Sequence, residues 1–141
     1  MMPPILFDGL APIPYSQIRL VAEGFSTYAV IHVPSGTRIG KVVKWPDGGW
    51  FGYTAHPRGN DETINHEGTR RRIDSVYEVC EPCNHVPVWL SVRDGNGHKR
   101  DATEEECRER DPESWAWWDT VRPLFPVWTD DETTPTPAKE S

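Results

Sequence analysis

Residues 27–55 read TYAVIHVPSGTRIGKVVKWPDGGWFGYTA. Residues 27–33 are rich in β-branched and aromatic side chains and stop at Pro34-Ser35-Gly36-Thr37, where proline pre-sets φ and glycine tolerates a positive one. Residues 38–45 then return antiparallel, and Pro46-Asp47-Gly48-Gly49 turns the chain again into residues 50–55. This pattern predicts three strands in a meander. Upstream, Ile18, Leu20 and Ala22 alternate with Arg19, Val21 and Glu23, which suits one more strand or a short helix opening at Ser16.

Downstream the punctuation changes. Residues 56–68 contain Pro57, Gly59, Asn60, Asp61, Asn65 and Gly68 and predict a long loop with a short strand at 63–65. Thr69 is the expected cap of a helix in which Ile73, Val76, Tyr77 and Cys80 fall at i, i+3, i+4 and i+7, ending at Pro82. Residues 86–92 predict a strand, residues 94–97 a turn and residues 98–100 its partner. Thr103 to Glu106 has the form of a capping box, and Asp111-Pro112-Glu113 repeats the start signal with proline at the first helical position. In that last helix Trp115, Trp118, Val121 and Arg122 share a face, Trp117 points elsewhere, and Pro123 ends the run. The expected class is α+β, a three- to five-stranded antiparallel sheet packed by two or three helices. Residues 1–16 form a proline-rich segment, residues 17–128 a single domain, and residues 129–141, TDDETTPTPAKES, a tail too polar to repay the entropy of ordering.

With 141 residues the chain has room for one core. Only 36% of it is hydrophobic, but seven Trp, four Tyr and four Phe concentrate burial in a few large side chains. The net charge of −7 opposes unassisted binding to nucleic acid or to an anionic membrane. That charge is unevenly spread: residues 19–72 hold eight Lys or Arg against five Asp or Glu, residues 73–141 seven against sixteen. Either the two halves neutralise one another or the acidic half is an interaction surface. The N-terminus has no basic leader pattern, and no apolar run approaches the roughly 20 residues that span a bilayer. Three cysteines, an odd number, suit a reducing compartment, so a cytoplasmic location is expected.

Three constellations bear on chemistry. Cys80-Glu81-Pro82-Cys83 is a Cys-x-x-Cys knuckle; with His98 and Cys107 it offers four zinc ligands, although no second paired motif accompanies it and Cys80 has the phase of a core residue. No other cofactor is expected. Arg70, Arg71 and Arg72 place three cations at the helix start, against its macrodipole, so something must offset them. A phosphate backbone would do so, with Arg38, Lys41, Lys44 and Arg58 widening the footprint and Trp45, Trp50 or Tyr53 supplying flat contacts. Pairing with Glu104 to Glu106 or with other acids of residues 73–141 would do so equally, as would simple solvation. Among the tryptophans, Trp117 and Trp128 are the candidates for anchoring a partner protein. The sequence holds no hydrolase, metalloprotease, P-loop or dinucleotide motif; an arrangement of His56, His66 and Glu67 across one loop is the remaining catalytic option. The expectation is a non-enzyme without a small-molecule substrate.

The segment GTRIGKVVKWPDGGWFGYTAHP followed by the helix TRRRIDSVYEV resembles small modules of actinobacteria and their phages, and is distantly similar to the arm-type, AP2-like DNA-binding domains of phage integrases. The resemblance implies a sheet that lies in the major groove with a helix packed behind it. It covers residues 27–80 and departs from that family in the overall acidity and in the basic cluster at the helix start. Two functions compete. One is a phage-type accessory or regulatory protein contacting nucleic acid through its basic sheet edge and Arg70 to Arg72. The other is an acidic module that docks on a host protein through Trp and the carboxylates of residues 101–128, as an inhibitor or assembly partner.

Overall fold

The computed structural model describes residues 4–46, 48–56 and 62–128. Four antiparallel strands, β1 (Ile18–Gly24), β2 (Thr27–His32), β3 (Thr37–Lys44) and β4 (Trp50–Thr54), form one sheet in sequential order. The expected meander is present, and residues 18–24 extend it by one strand. Because side chains alternate across a strand, the register places Leu20, Val30, Gly40 and Thr54 on one face, with Tyr28, Val42 and Gly52 two positions along. A bulge opposite Val30 and Ile31 interrupts this alternation, and Ile39 beside it is fully buried.

Helix α1 (Arg72–Cys80) lies on that inner face, over β3 and β4. The approach is close because two of the residues beneath it lack side chains. A Cβ at Gly40 would overlap the Tyr53 carbonyl oxygen and come within 2.7 Å of Val79 Cγ1. One at Gly52 would stand 3.1 Å from the Ser75 carbonyl oxygen and 3.2 Å from Val79 Cγ2. The two glycines form a trough in which Val79 sits.

This seating rotates the helix from the phase expected. Ser75, Val76, Val79 and Cys80 are its buried residues, whereas Tyr77 is exposed. A narrow strip of small and β-branched side chains fits the trough, and a phenol ring does not. The cap also differs from expectation. The helix begins after Arg71, and Thr69 instead bonds through its main chain to Trp50 and through its hydroxyl to the Arg71 carbonyl and Ser75. Thr69 is held to β4 too firmly to turn into a helix. Residues 63–65 form no strand; the Ile64 N–H donates to the Gly52 carbonyl at 2.8 Å, so this segment covers the free edge of β4.

The second half supplies the other wall of the core. A hairpin of β5 (Ser91–Arg93) and β6 (Lys99–Asp101) leads into α2 (Glu104–Arg110) and α3 (Pro112–Val121). The expected strand at 86–92 is confined to its end, because Pro87 has no N–H and the indole of Trp89 is bonded to the Ala102 carbonyl. Thr103 and Glu106 form the capping box of α2. Asp111 ends α2 and caps α3 through the Ser114 N–H. Trp115, Trp118, Val121 and Phe125 join Val30, Ile39, Val42, Val76 and Val79 in one core. The proline-rich N-terminus is built into that core: Ala11 bonds the Pro126 carbonyl, Ile13 bonds the Cys80 carbonyl, and both are buried. Residues 129–141, where an unstructured tail is expected, lie outside the described residues.

If the trough seats α1, filling it destabilises the fold. Gly40→Ala should cost about 3 kcal/mol or more and Gly52→Ala about 1 to 2 kcal/mol in urea denaturation. Unchanged midpoints for both variants would refute the close approach.

Candidate functional site

The expected basic site is dispersed by the fold. Arg38 and Lys41 lie opposite Ile31 and Ala29, on the face of the sheet turned away from α1. Arg70, Arg71 and Arg72 lie at the start of α1, on the other face, and only Arg72 is within the helix. Arg58 lies outside the described residues. Several of these cations are already engaged. Arg38 makes a two-pronged ion pair with Glu23, at 2.6 and 2.7 Å, which holds the Glu23 carboxyl below the usual carboxylate range. Arg71 pairs with Asp74 at 3.0 Å and depresses that carboxyl as well. The guanidinium of Arg72 stacks over the rings of Tyr28 and Trp50, at 4.8 and 5.8 Å, and the Lys41 ammonium stands 5.0 Å from the Tyr53 ring centre. Lys44 and Arg70 are exposed.

Of the arginines at the helix start, Arg71 finds its acid in the second half, at Asp74, but among the described residues none pairs with Glu104 or Glu106. Glu104 and Glu106 are taken by Arg108 and Arg100, and Arg108 also binds Asp119 at 2.8 Å.

The four candidate zinc ligands are not brought together. Cys80 and Cys107 are buried in the core, Cys83 is exposed after the helix, and His98 is at the end of the β5–β6 hairpin beside Asp94. Among the described residues no cluster of His, Cys, Asp or Glu is arranged to hold a metal ion. Burial pushes the Cys80 thiol up to about 12, so it remains protonated. His66 and Glu67 lie on an exposed loop, with His66 Nδ1 3.5 Å from the Thr63 hydroxyl.

Of the two candidate tryptophans, Trp117 belongs to the framework. Its indole N–H donates to His85 Nδ1 at 3.3 Å, while His85 Nε2 lies 2.6 Å from the Val79 carbonyl. One partner can only donate and the other can only accept, which fixes His85 as the neutral Nε2–H tautomer. The fully buried imidazole thereby ties α1 to α3.

Trp128 is different. It follows the bridge between Leu10 and Val127, and its N–H donates to the Gly9 carbonyl. With Tyr15 and Tyr77 it borders a groove of about 440 Å³ floored by Ile13, flanked by Pro12 and Pro14, and bearing one carboxylate, Glu81. The fold assembles it from three places. Ile13, bonded to the Cys80 carbonyl, draws the proline segment along the end of α1. The rotation of α1 delivers Tyr77, whose ring meets Tyr15 edge-on at 5.9 Å. The rings of Tyr15, Tyr77 and Trp128 remain 40%, 46% and 42% exposed. Partial burial raises the Glu81 carboxyl pKa. The sequence reading identified Trp128 but passed over Tyr15 and placed Tyr77 in the core; Pro12-Ile13-Pro14-Tyr15, an apolar run with two rigid prolines, was the signal available.

The His85 bridge has a pH signature. Burial lowers its pKa from 6.5 to about 4, so between those values the unfolded chain binds a proton that the folded one rejects. Its contribution is full above pH 6.5 and declines as pH falls toward 4, by on the order of 3 kcal/mol. Glu81, whose pKa is raised by partial burial, acts in the opposite sense. Urea midpoints should drop between pH 7 and pH 4.5, and His85→Gln should flatten the profile; parallel profiles would exclude His85 as the source.

No protein-family model, curated protein or solved structure matches this chain.

Proposed function

We propose that this chain is a non-catalytic protein-binding module whose aromatic groove receives an extended, apolar, proline-bearing segment of a partner protein. One observation carries the reading: Tyr15, Tyr77 and Trp128, each well exposed, converge on a single apolar groove. Aromatic rings with one apolar face and one polar tip are the side chains most enriched at binding hot spots. Proline segments suit such grooves because they are already extended and lose little entropy on docking. Glu81 at the edge favours a partner with a cation beside its apolar residues.

Nucleic-acid binding has less support. Arg38 and Arg71 are neutralised, Arg72 and Lys41 are laid over rings, and the basic side chains occupy opposite faces of the sheet. A duplex needs several cations on one face to release its counterions.

Selection from a random decapeptide display library should enrich proline flanked by apolar residues. Titration of a selected peptide should weaken about tenfold or more with Trp128→Ala or Tyr77→Ala, with thermal unfolding unchanged. Peptides that bind both variants as well as the parent protein would remove the groove from the account. Retention on duplex DNA at low salt, lost on replacing Arg70 to Arg72 with alanine, would restore the nucleic-acid reading.

A further inference from the structure

Among the described residues nothing covers the β1 edge of the sheet, and that edge is chemically self-complementary. Its only strand neighbour among the described residues is β2, and residues 19 and 21–24 are exposed. The Val33 N–H donates to the Gln17 carbonyl, and Ile18 lies opposite His32. Antiparallel alternation then directs the main chain of Arg19 and Val21 toward β2 and that of Ile18, Leu20 and Ala22 outward. Apart from β1–β2 pairing and the bond from the Ile18 N–H to the Tyr15 carbonyl, no main-chain hydrogen bond from residues 18–24 is made among the described residues. The edge is apolar at Leu20, Val21 and Ala22, and Phe25, at its end, is 97% exposed. Unpaired main-chain groups along such an edge are a template for pairing with another strand.

We propose that this edge is covered by β1 of a second copy, antiparallel, about a two-fold axis at Val21, joining two sheets into one of eight strands. That register is chosen by charge and by hydrogen bonding together. It sets Arg19 opposite Glu23 of the second copy, and Glu23 opposite its Arg19. It also sets the outward main-chain groups of Leu20 opposite those of Ala22, so donors meet acceptors. A shift of the axis to Leu20 would preserve the hydrogen bonds but place Arg19 opposite Val21, losing both charge pairs. A two-fold axis generates this self-matching from one strand, which is how isologous interfaces arise. Glu23 also binds Arg38 within its own chain, so each interface carboxylate lies between two guanidiniums. Opposite charges directly across a strand pair are favourable, and like charges are not.

Cross-linking tests the register. At the two-fold axis the Val21 residues form a non-hydrogen-bonded pair with Cα atoms about 4.5 Å apart, within disulfide range. In a background with the exposed Cys83 changed to serine, Val21→Cys should give a disulfide-linked dimer on mild oxidation. Arg19→Cys, four residues from its own symmetry mate, should not. Sedimentation should show a concentration-dependent dimer that Arg19→Glu weakens several-fold and that the double variant Arg19→Glu, Glu23→Arg restores. A protein that stays monomeric at all accessible concentrations, or cross-links equally well at both positions, overturns the proposal.

Discussion

The structure depends on one close approach. Helix α1 (Arg72–Cys80) can sit on the sheet only because Gly40 and Gly52 expose bare main chain beneath it, and Val79 occupies the space. A methyl group at either position would press on main-chain atoms or on Val79 rather than on the yielding end of a long side chain. Cores are packed too densely to absorb such an intrusion without moving the helix. The glycines weaken their strands locally, and the fold offsets this by burying Val42, Val76 and Val79 between the two layers.

From that seating the aromatic groove follows. With Ser75 and Val79 turned down, Tyr77 is turned out, toward the proline segment at Tyr15. The end of α1 offers the Cys80 carbonyl to Ile13 and the Val79 carbonyl to His85, linking the N-terminus, the helix and α3 (Pro112–Val121) at one corner. Trp128 completes the groove because the chain after α3 returns beside residues 9–11. The aromatic groove and the core are consequences of the same docking.

Much of the sheet was legible in the sequence. Turn chemistry at Pro34 to Thr37 and Pro46 to Gly49 and the alternation of residues 18–54 specify the meander, since both are local properties. The capping box at Thr103 and the Asp111-Pro112 start are local too, and both appear where expected. The phase of α1 was not legible. Its apolar residues are compatible with two neighbouring faces, and the choice is made by two glycines more than twenty residues upstream. The partners of the arginines were not legible for a related reason. Asp74 and Glu23, which neutralise Arg71 and Arg38, are ordinary surface acids in sequence and become partners only through helix and strand geometry. Trp117 looked free because its helical phase differs from that of Trp115, but a buried histidine thirty-two residues earlier receives its N–H.

The charge asymmetry along the chain persists, since seven basic residues cannot balance sixteen acids in residues 73–141, and the apolar edges and grooves carry the more specific information. All of them hang on α1 and the strands β3 (Thr37–Lys44) and β4 (Trp50–Thr54) behaving as one unit. Native-state hydrogen exchange tests this most directly. The amides of Val76, Val79 and Cys80 should exchange only through the same global opening as the protected amides of β3 and β4. Exchange of the helix at a markedly lower opening free energy, with the sheet still protected, would contradict the account.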